Sequence, residues 1–245
     1  IGYQNKWLTF QIGRGRESWG AGEGIQIFLN NLSPSYDYGL LSSNYGNVRV
    51  KYIHGFLGST INQVNRYLTA RGIEWTNKNN IILGLSEAII YSGVNRPIDI
   101  GYLNPISSHL EVELNNRLNN IGEARANAIW QLSMDYFFKN KIRFSGNYLI
   151  DEFVIDKVQL NTGKEHGKAY SFRLAFSLYN NNNNSLIIYT SIINVGTPTF
   201  RHSEGENNFI VRGKPLGDQR GSDFIDFKIG LNYFTKLGIL NEIKL

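Results

Sequence analysis

The stretch RGRESWGAGEG, residues 14 to 24, sets two arginines, two glutamates and a tryptophan among glycines. An arginine offers a planar fork that fits carboxylate or hydroxyl oxygens, and a tryptophan offers a flat apolar face to a sugar ring. A glycine-rich segment after a strand also suits a phosphate cradle. That reading fails here, because the preceding KWLTFQIG alternates in polarity and no helix with a suitably placed ribose-binding acid follows. The stretch reads instead as a compact loop whose chemistry rests on Arg14, Arg16, Glu17 and Trp19, with glycines for tight turns. Pairing of Arg16 and Glu17 with charges of a surrounding wall is the competing reading.

Other constellations are weaker. Glu111 and Glu113 invite comparison with a glycosidase pair, yet helical spacing turns them apart and strand spacing fixes no productive separation. Ser108 and His109 are sequence neighbours, which in a strand point to opposite faces and cannot act as nucleophile and base. HSEGE at 202 to 206 and DEF at 151 to 153 supply too few converging oxygens for calcium. The chain has no cysteine, so neither a disulfide framework nor a thiolate metal site is available. No catalytic residue, metal or cofactor is expected.

The elements that must position these residues are strands. In AIWQLSMDYFFKNKIRFSGNYLIDEF, residues 128 to 153, Trp130, Leu132, Met134, Tyr136 and Phe138 alternate with Gln131, Ser133 and Asp135. After the turn 139 to 141, Ile142, Phe144, Gly146, Tyr148 and Ile150 alternate with Arg143, Ser145, Asn147 and Asp151. A period of two marks a hairpin of two long amphipathic strands. The pattern returns at 170 to 178 and 227 to 233, and less cleanly near 6–13, 38–44, 48–54, 67–75, 81–90, 185–195 and 239–245, which makes eleven strands. Leu110, Leu114, Leu118 and Ile121 recur at helical spacing in the longest loop.

The connections take turns in length. Those at 45–47, 76–80, 139–141, 180–184 and 236–238 are short, while 14–37, 55–66, 91–126, 151–168 and 196–222 are long. Short turns at one end and long loops at the other characterise transmembrane barrels. Trp75, Phe137, Phe138, Tyr179, Tyr233 and Phe234 precede short turns, as an interfacial girdle would. Arg or Lys facing mid-membrane lipid costs roughly 2 to 4 kcal/mol each, so Asp135, Arg143, Arg173, Asp226 and Lys228 together would rival a typical total stability of roughly 5 to 15 kcal/mol. They are therefore expected to face the interior, with the aromatic register on lipid. A soluble sandwich or lipocalin-like barrel is the alternative that alternation alone does not separate.

At 245 residues with no internal linker the chain reads as one domain, 1 to 245. Apolar residues make up 42%, yet no run approaches the roughly 18 to 20 needed for a spanning helix, which leaves only a barrel for crossing a membrane. The net charge of +5 favours anionic partners: nucleic acid, lipopolysaccharide or acidic polysaccharide. Eleven strands is an odd count, whereas single-chain bacterial barrels close with an even one, so part of a larger barrel is expected.

With the strands placed, GRGRESWGAGEG, NRYLTARGIEWTNKNNIILGLSEAIIYSG, YLNPISSHLEVELNN and ANAIWQLSMDYFFKNKIRFSGNYLIDEF resemble the Wzi-type capsule assembly family of bacterial outer-membrane proteins. The resemblance is clearest from about residue 7 to residue 156. It implies an antiparallel transmembrane β-barrel of eighteen strands, occluded by folded loops, in which this chain supplies about eleven strands and lacks N-terminal strands and helices. It further implies an integral outer-membrane lectin that holds capsular polysaccharide, with outer-membrane lipid and lipopolysaccharide around it, no nucleic-acid partner and no reaction. On that reading the glycan-binding candidates are Arg14, Arg16, Glu17, Trp19, Arg71, Glu87, Asn104, Asp135, Arg143 and Asp151. A porin or transporter, or a surface protein of a gliding or secretion apparatus, is the alternative.

Overall fold

In a computed structural model, the period-two stretches form strands that pair in sequence order. The structure describes residues 1–108, 126–152, 166–181, 184–235 and 240–244. Twelve strands form one antiparallel sheet: β1 (Gly2–Gln4), β2 (Leu8–Gly15), β3 (Tyr36–Tyr45), β4 (Val48–Ser59), β5 (Val64–Thr76), β6 (Ile81–Val94), β7 (Ala126–Phe138), β8 (Ile142–Glu152), β9 (Gly167–Asn180), β10 (Asn184–Val195), β13 (Phe224–Thr235) and β14 (Leu240–Lys244). A separate ribbon of β11 (Ile210–Val211) and β12 (Lys214–Pro215) lies in the connection before β13, and one short helix, α1 (Ile100–Leu103), follows β6. Among the described residues β1 and β14 do not pair, so the sheet is an open arc of barrel wall. It has one strand more than the sequence suggests, because the three-residue β1 is too short to show a period.

Cross-strand partners share a face, so the register sorts every side chain. Phe10, Leu41, Tyr52, Arg71, Glu87, Trp130 and Ile150 form one outward row. Ile53, Ala70, Ala88 and Ile129 form an inward one. The outward face carries exposed Leu132, Tyr148, Phe172, Phe176, Phe227 and Ile229. Asp135, Arg143, Arg173, Asp226 and Lys228 fall on the inward register, as the sequence leads one to expect.

The strict alternation of short and long connections does not hold. Strands β4 and β5 extend to Ser59 and from Val64, so their connection is only 60–63 rather than a loop over 55–66. A register shift between Phe56 and Gly58, with Gly58 at φ +118°, absorbs the irregularity that masked the strand in the sequence. The aromatic girdle is also partly reassigned. Tyr45, Trp75, Phe138, Tyr179 and Tyr233 ring the short-turn end on the outward register, whereas Phe137 and Phe234 pair with Arg143 and Ser185 on the inward one. The helical spacing at Leu110 to Ile121, and His109, Glu111 and Glu113, lie outside the described residues.

Two loops enter the concave side. Ile25, Ile27, Phe28 and Leu29 from 16–35 and Phe200, Phe209, Val211 and Leu216 from 196–223 pack on Ile53, Leu68, Ile90, Ile129 and Leu149 as one buried cluster. The loops also pair with each other, through Asn30 N to the Leu216 carbonyl at 2.9 Å. A third segment, 95–108, lies on the opposite side. Its Tyr102 packs with outward-facing Tyr67, Ile89, Tyr91 and Ala128.

Candidate functional site

The polar residues of the inward face are largely used to hold the two loops. Asn147 accepts from the Ala21 amide at 2.7 Å and donates to the Ala21 carbonyl at 2.9 Å, which reproduces with a side chain the pairing of a neighbouring strand. Ser171 donates to the Ile25 carbonyl at 2.7 Å, and Arg173 to the Glu23 carbonyl at 2.7 Å. On the far side of the arc, Arg66 donates to the carbonyls of Glu206 and Asn208, the latter at 2.8 Å, and Ser92 donates to Asn207 at 2.8 Å. Irregular backbone buried in a dry core costs about 1–3 kcal/mol per unsatisfied group, and the polar register supplies the missing partners.

Among the cavities of the described residues, two lie between the loops and the inward face of β8 to β13. One, of about 510 Å3, lies between 18–32, 218–220 and β13, and is walled by Gln26, Asn30, Asn31, Gln219, Arg220 and Lys228. Arg220 is clamped by Asp218 at 2.8 Å and Asp226 at 2.7 Å; the hydrogen bonds with these carboxylates, Asp218 first, hold its guanidinium above its ordinary pKa against the opposing effect of burial. The second, of about 240 Å3, sits at the short-turn end, lined by Lys141, Arg143, Arg173, Phe137 and Phe234, and shares Glu23 with the first. There Arg143 meets Asp135 across the hairpin at 2.5 to 3.2 Å, and Arg173 stands 4.0 Å over the Tyr189 ring. Gly230 makes room for that ring, since a Cβ there would lie 2.3 Å from it. Amides, cations and aromatic edges in a concave, partly apolar setting are chemistry suited to a polyhydroxylated, anionic ligand.

The structure gathers only some of the residues singled out from the sequence. Arg143 lines the lower cavity and is braced there by Asp135. Arg16 is exposed on the loop and donates to the Asn31 carbonyl at 3.4 Å. Glu17 accepts from Tyr38 at 3.0 Å and pairs with Lys51 at 2.5 Å, which is the bracing reading. Trp19 is 6% exposed; it packs edge-on to Phe28 at 5.9 Å with Lys51 above its ring at 5.0 Å, so it plugs the core and offers no open face to a sugar. Asp151 is buried and accepts from the Phe200 amide, which anchors the second loop.

Four of the candidates stand elsewhere. Arg14 belongs to β2 rather than to the loop and pairs with Asp37 on the outward face at 2.9 Å. Arg71 and Glu87 form a buried ion pair at 3.2 Å, also outward, and Asn104 caps them, its carbonyl accepting from Arg71 at 3.0 Å. The physical reason is register: one residue of shift sends a strand side chain to the other face, and polarity alone misplaces a charge that a covering segment shields. The residues the sequence reading missed, Asn30, Asn31, Gln219 and Arg220, lie in loops with no period to expose them; the Asn30–Asn31 pair was the available signal.

A third cavity, of about 700 Å3, is on the outward side, lined by Leu41, Val50, Ile73, Leu85, Trp130 and Ile106. It is largely apolar, with the Arg71–Glu87 pair at its edge, and is separate from the inward pair of cavities.

No family model matches the chain, and no curated protein matches it in sequence. Among solved structures the chain is similar to Wzi, an outer membrane protein involved in group 1 capsule assembly in Escherichia coli, described as a carbohydrate-binding β-barrel, with a TM-score of 0.71 at 10% identity. The match covers 97% of this chain and 53% of that one, so the chain spans about half the length of the protein it resembles. At that identity the likeness establishes the fold, an antiparallel β-barrel wall, and a distant structural relationship.

Proposed function

We propose that this chain is wall and luminal plug of an integral outer-membrane barrel that holds an acidic surface polysaccharide, without chemical transformation of it. The observation that carries the reading is the division of the sheet: an apolar outward face bearing a girdle at the short-turn end, and a concave side filled by folded loops that leave an amide- and cation-lined cavity. A loop-filled concave side favours retention over conduction, because the buried cluster of Ile27, Phe28, Leu68 and Ile129 fills the space against this arc of the wall. The likeness to a carbohydrate-binding barrel supports the same reading.

The test pairs two measurements on the full-length protein in detergent or lipid. Capsular polysaccharides of differing charge are titrated against it, and its conductance is recorded in planar bilayers. Saturable binding of an acidic glycan, weakened in Asn30→Ala and Gln219→Ala proteins that still fold, is the expected result. Steady ohmic current with no glycan binding would instead make the protein a channel.

A further inference from the structure

Segment 95–108 leaves the top of β6 and runs down the outward face, the side that must meet lipid if the barrel is integral. It covers what is otherwise an anomaly: Tyr52, His54, Tyr67, Thr69, Arg71, Glu87 and Tyr91 are polar groups on the outward register. Five of them reach the segment's backbone, while His54 bonds to the Tyr91 hydroxyl and Glu87 to Arg71 and Trp130. Asn65 and Tyr67 both donate to the Arg96 carbonyl at 2.9 Å, Tyr52 and Thr69 donate to the Tyr102 carbonyl at 3.0 and 3.3 Å, and Arg71 donates to that of Asn104. Tyr102 stacks on Tyr91 at 4.5 Å, and Tyr91 on Tyr67 at 4.9 Å. Hydrocarbon offers no partner to a carbonyl, so non-helical backbone survives at membrane depth only where protein satisfies it.

The segment's other side is the reverse in character. Ile98, Ile100, Leu103 and Ile106 are 52%, 82%, 40% and 88% exposed, a ridge of aliphatic side chains interrupted by Asn104, whose amide is turned onto Ser107 at 2.7 Å. Depth agrees. Arg71 stands four residues from the girdle residue Trp75, about 13 Å along its strand at ~3.3 Å per residue, which a tilt of roughly 40° places about 10 Å from the girdle, inside an apolar band about 25 Å tall.

We propose that 95–108 is a strap embedded in bilayer hydrocarbon against the outer wall, its isoleucine and leucine ridge and the apolar cavity beside it in contact with acyl chains. This rests on the membrane reading above. The occupant is lipid, because the ridge meets the largely apolar cavity at Ile106 and both lie on the outward face with the exposed Leu41, Ile73 and Leu85 of the wall.

These 245 residues hold no cysteine, so after replacement by serine of any cysteine elsewhere in the full-length protein the test is direct. Single variants Ile100→Cys and Leu103→Cys on the strap, Leu132→Cys and Ile229→Cys on the bare wall, and Ile61→Cys in the exposed 60–63 connection are made in the full-length protein, inserted in phosphatidylethanolamine–phosphatidylglycerol nanodiscs and treated with a charged maleimide. A thiol in hydrocarbon neither ionises nor meets the reagent. Strap and wall positions should both fail to label while Ile61→Cys labels fully, and all should label after unfolding in detergent. Labelling of the strap at the rate of Ile61→Cys, with the wall protected, overturns the strap and leaves the membrane reading standing. Labelling of the wall as well overturns both, and strap protection that vanishes when the protein is diluted in lipid assigns the ridge to a second copy and overturns the lipid contact.

Discussion

Trp19 occupies the space above Gly72, where a Cβ would stand 2.6 Å from the indole ring. Two residues far apart in sequence are thus cut to fit, and neither tolerates change. Trp19→Ala should cost about 3–5 kcal/mol in urea unfolding from lipid vesicles, the range for emptying a large core site, whether or not a glycan is present. The Arg71–Glu87 pair poses a different problem, because its charges are shielded on the outward face with side chains 10% and 6% exposed. Arg71→Met alone leaves Glu87 buried beside Trp130 Nε1 at 2.9 Å and should cost about 3–5 kcal/mol. The double variant Arg71→Met, Glu87→Leu should recover most of that loss, a coupling that a double-mutant cycle reads directly. At this scale the sequence showed residue types and not their surroundings: Arg71 and Asp135 look alike along the chain, yet one is under a strap and the other at the lumen wall.

At the scale of elements, the strands were legible wherever a period of two ran for several residues, as in β7, β8, β9 and β13. They were misjudged where a bulge interrupted it, as at Phe56 to Gly58, and β4 and β5 were read too short. The loops were readable as loops, but their attachment was not, since Asn147 gives no sign in the chain that it pairs with Ala21, 126 residues earlier. Asn147→Leu should therefore release 16–35 from the wall: protease cleavage within 20–26 should quicken while the barrel remains resistant. Gly230→Val should displace Tyr189 from beneath Arg173 and cost about 1–3 kcal/mol as overpacking, seen as a lower unfolding midpoint.

For the whole molecule, the decisive question is whether the lumen conducts. Deleting 17–34 removes Ile25, Ile27, Phe28 and Leu29 from the plug, and conductance in planar bilayers should rise from near closure to a stable open level. The sequence by itself determined that the fold is built of antiparallel strands and which side chains share a face, because a period of two depends only on local order along the chain. What the tertiary structure alone decided is the use of that inward face and the exceptions on the outward one. Polar side chains meant for water turned out to bind loop backbone, and polar side chains on the outward face turned out to bind the backbone of 95–108, since a buried carbonyl finds its donor by proximity in space, which no spacing along the chain encodes.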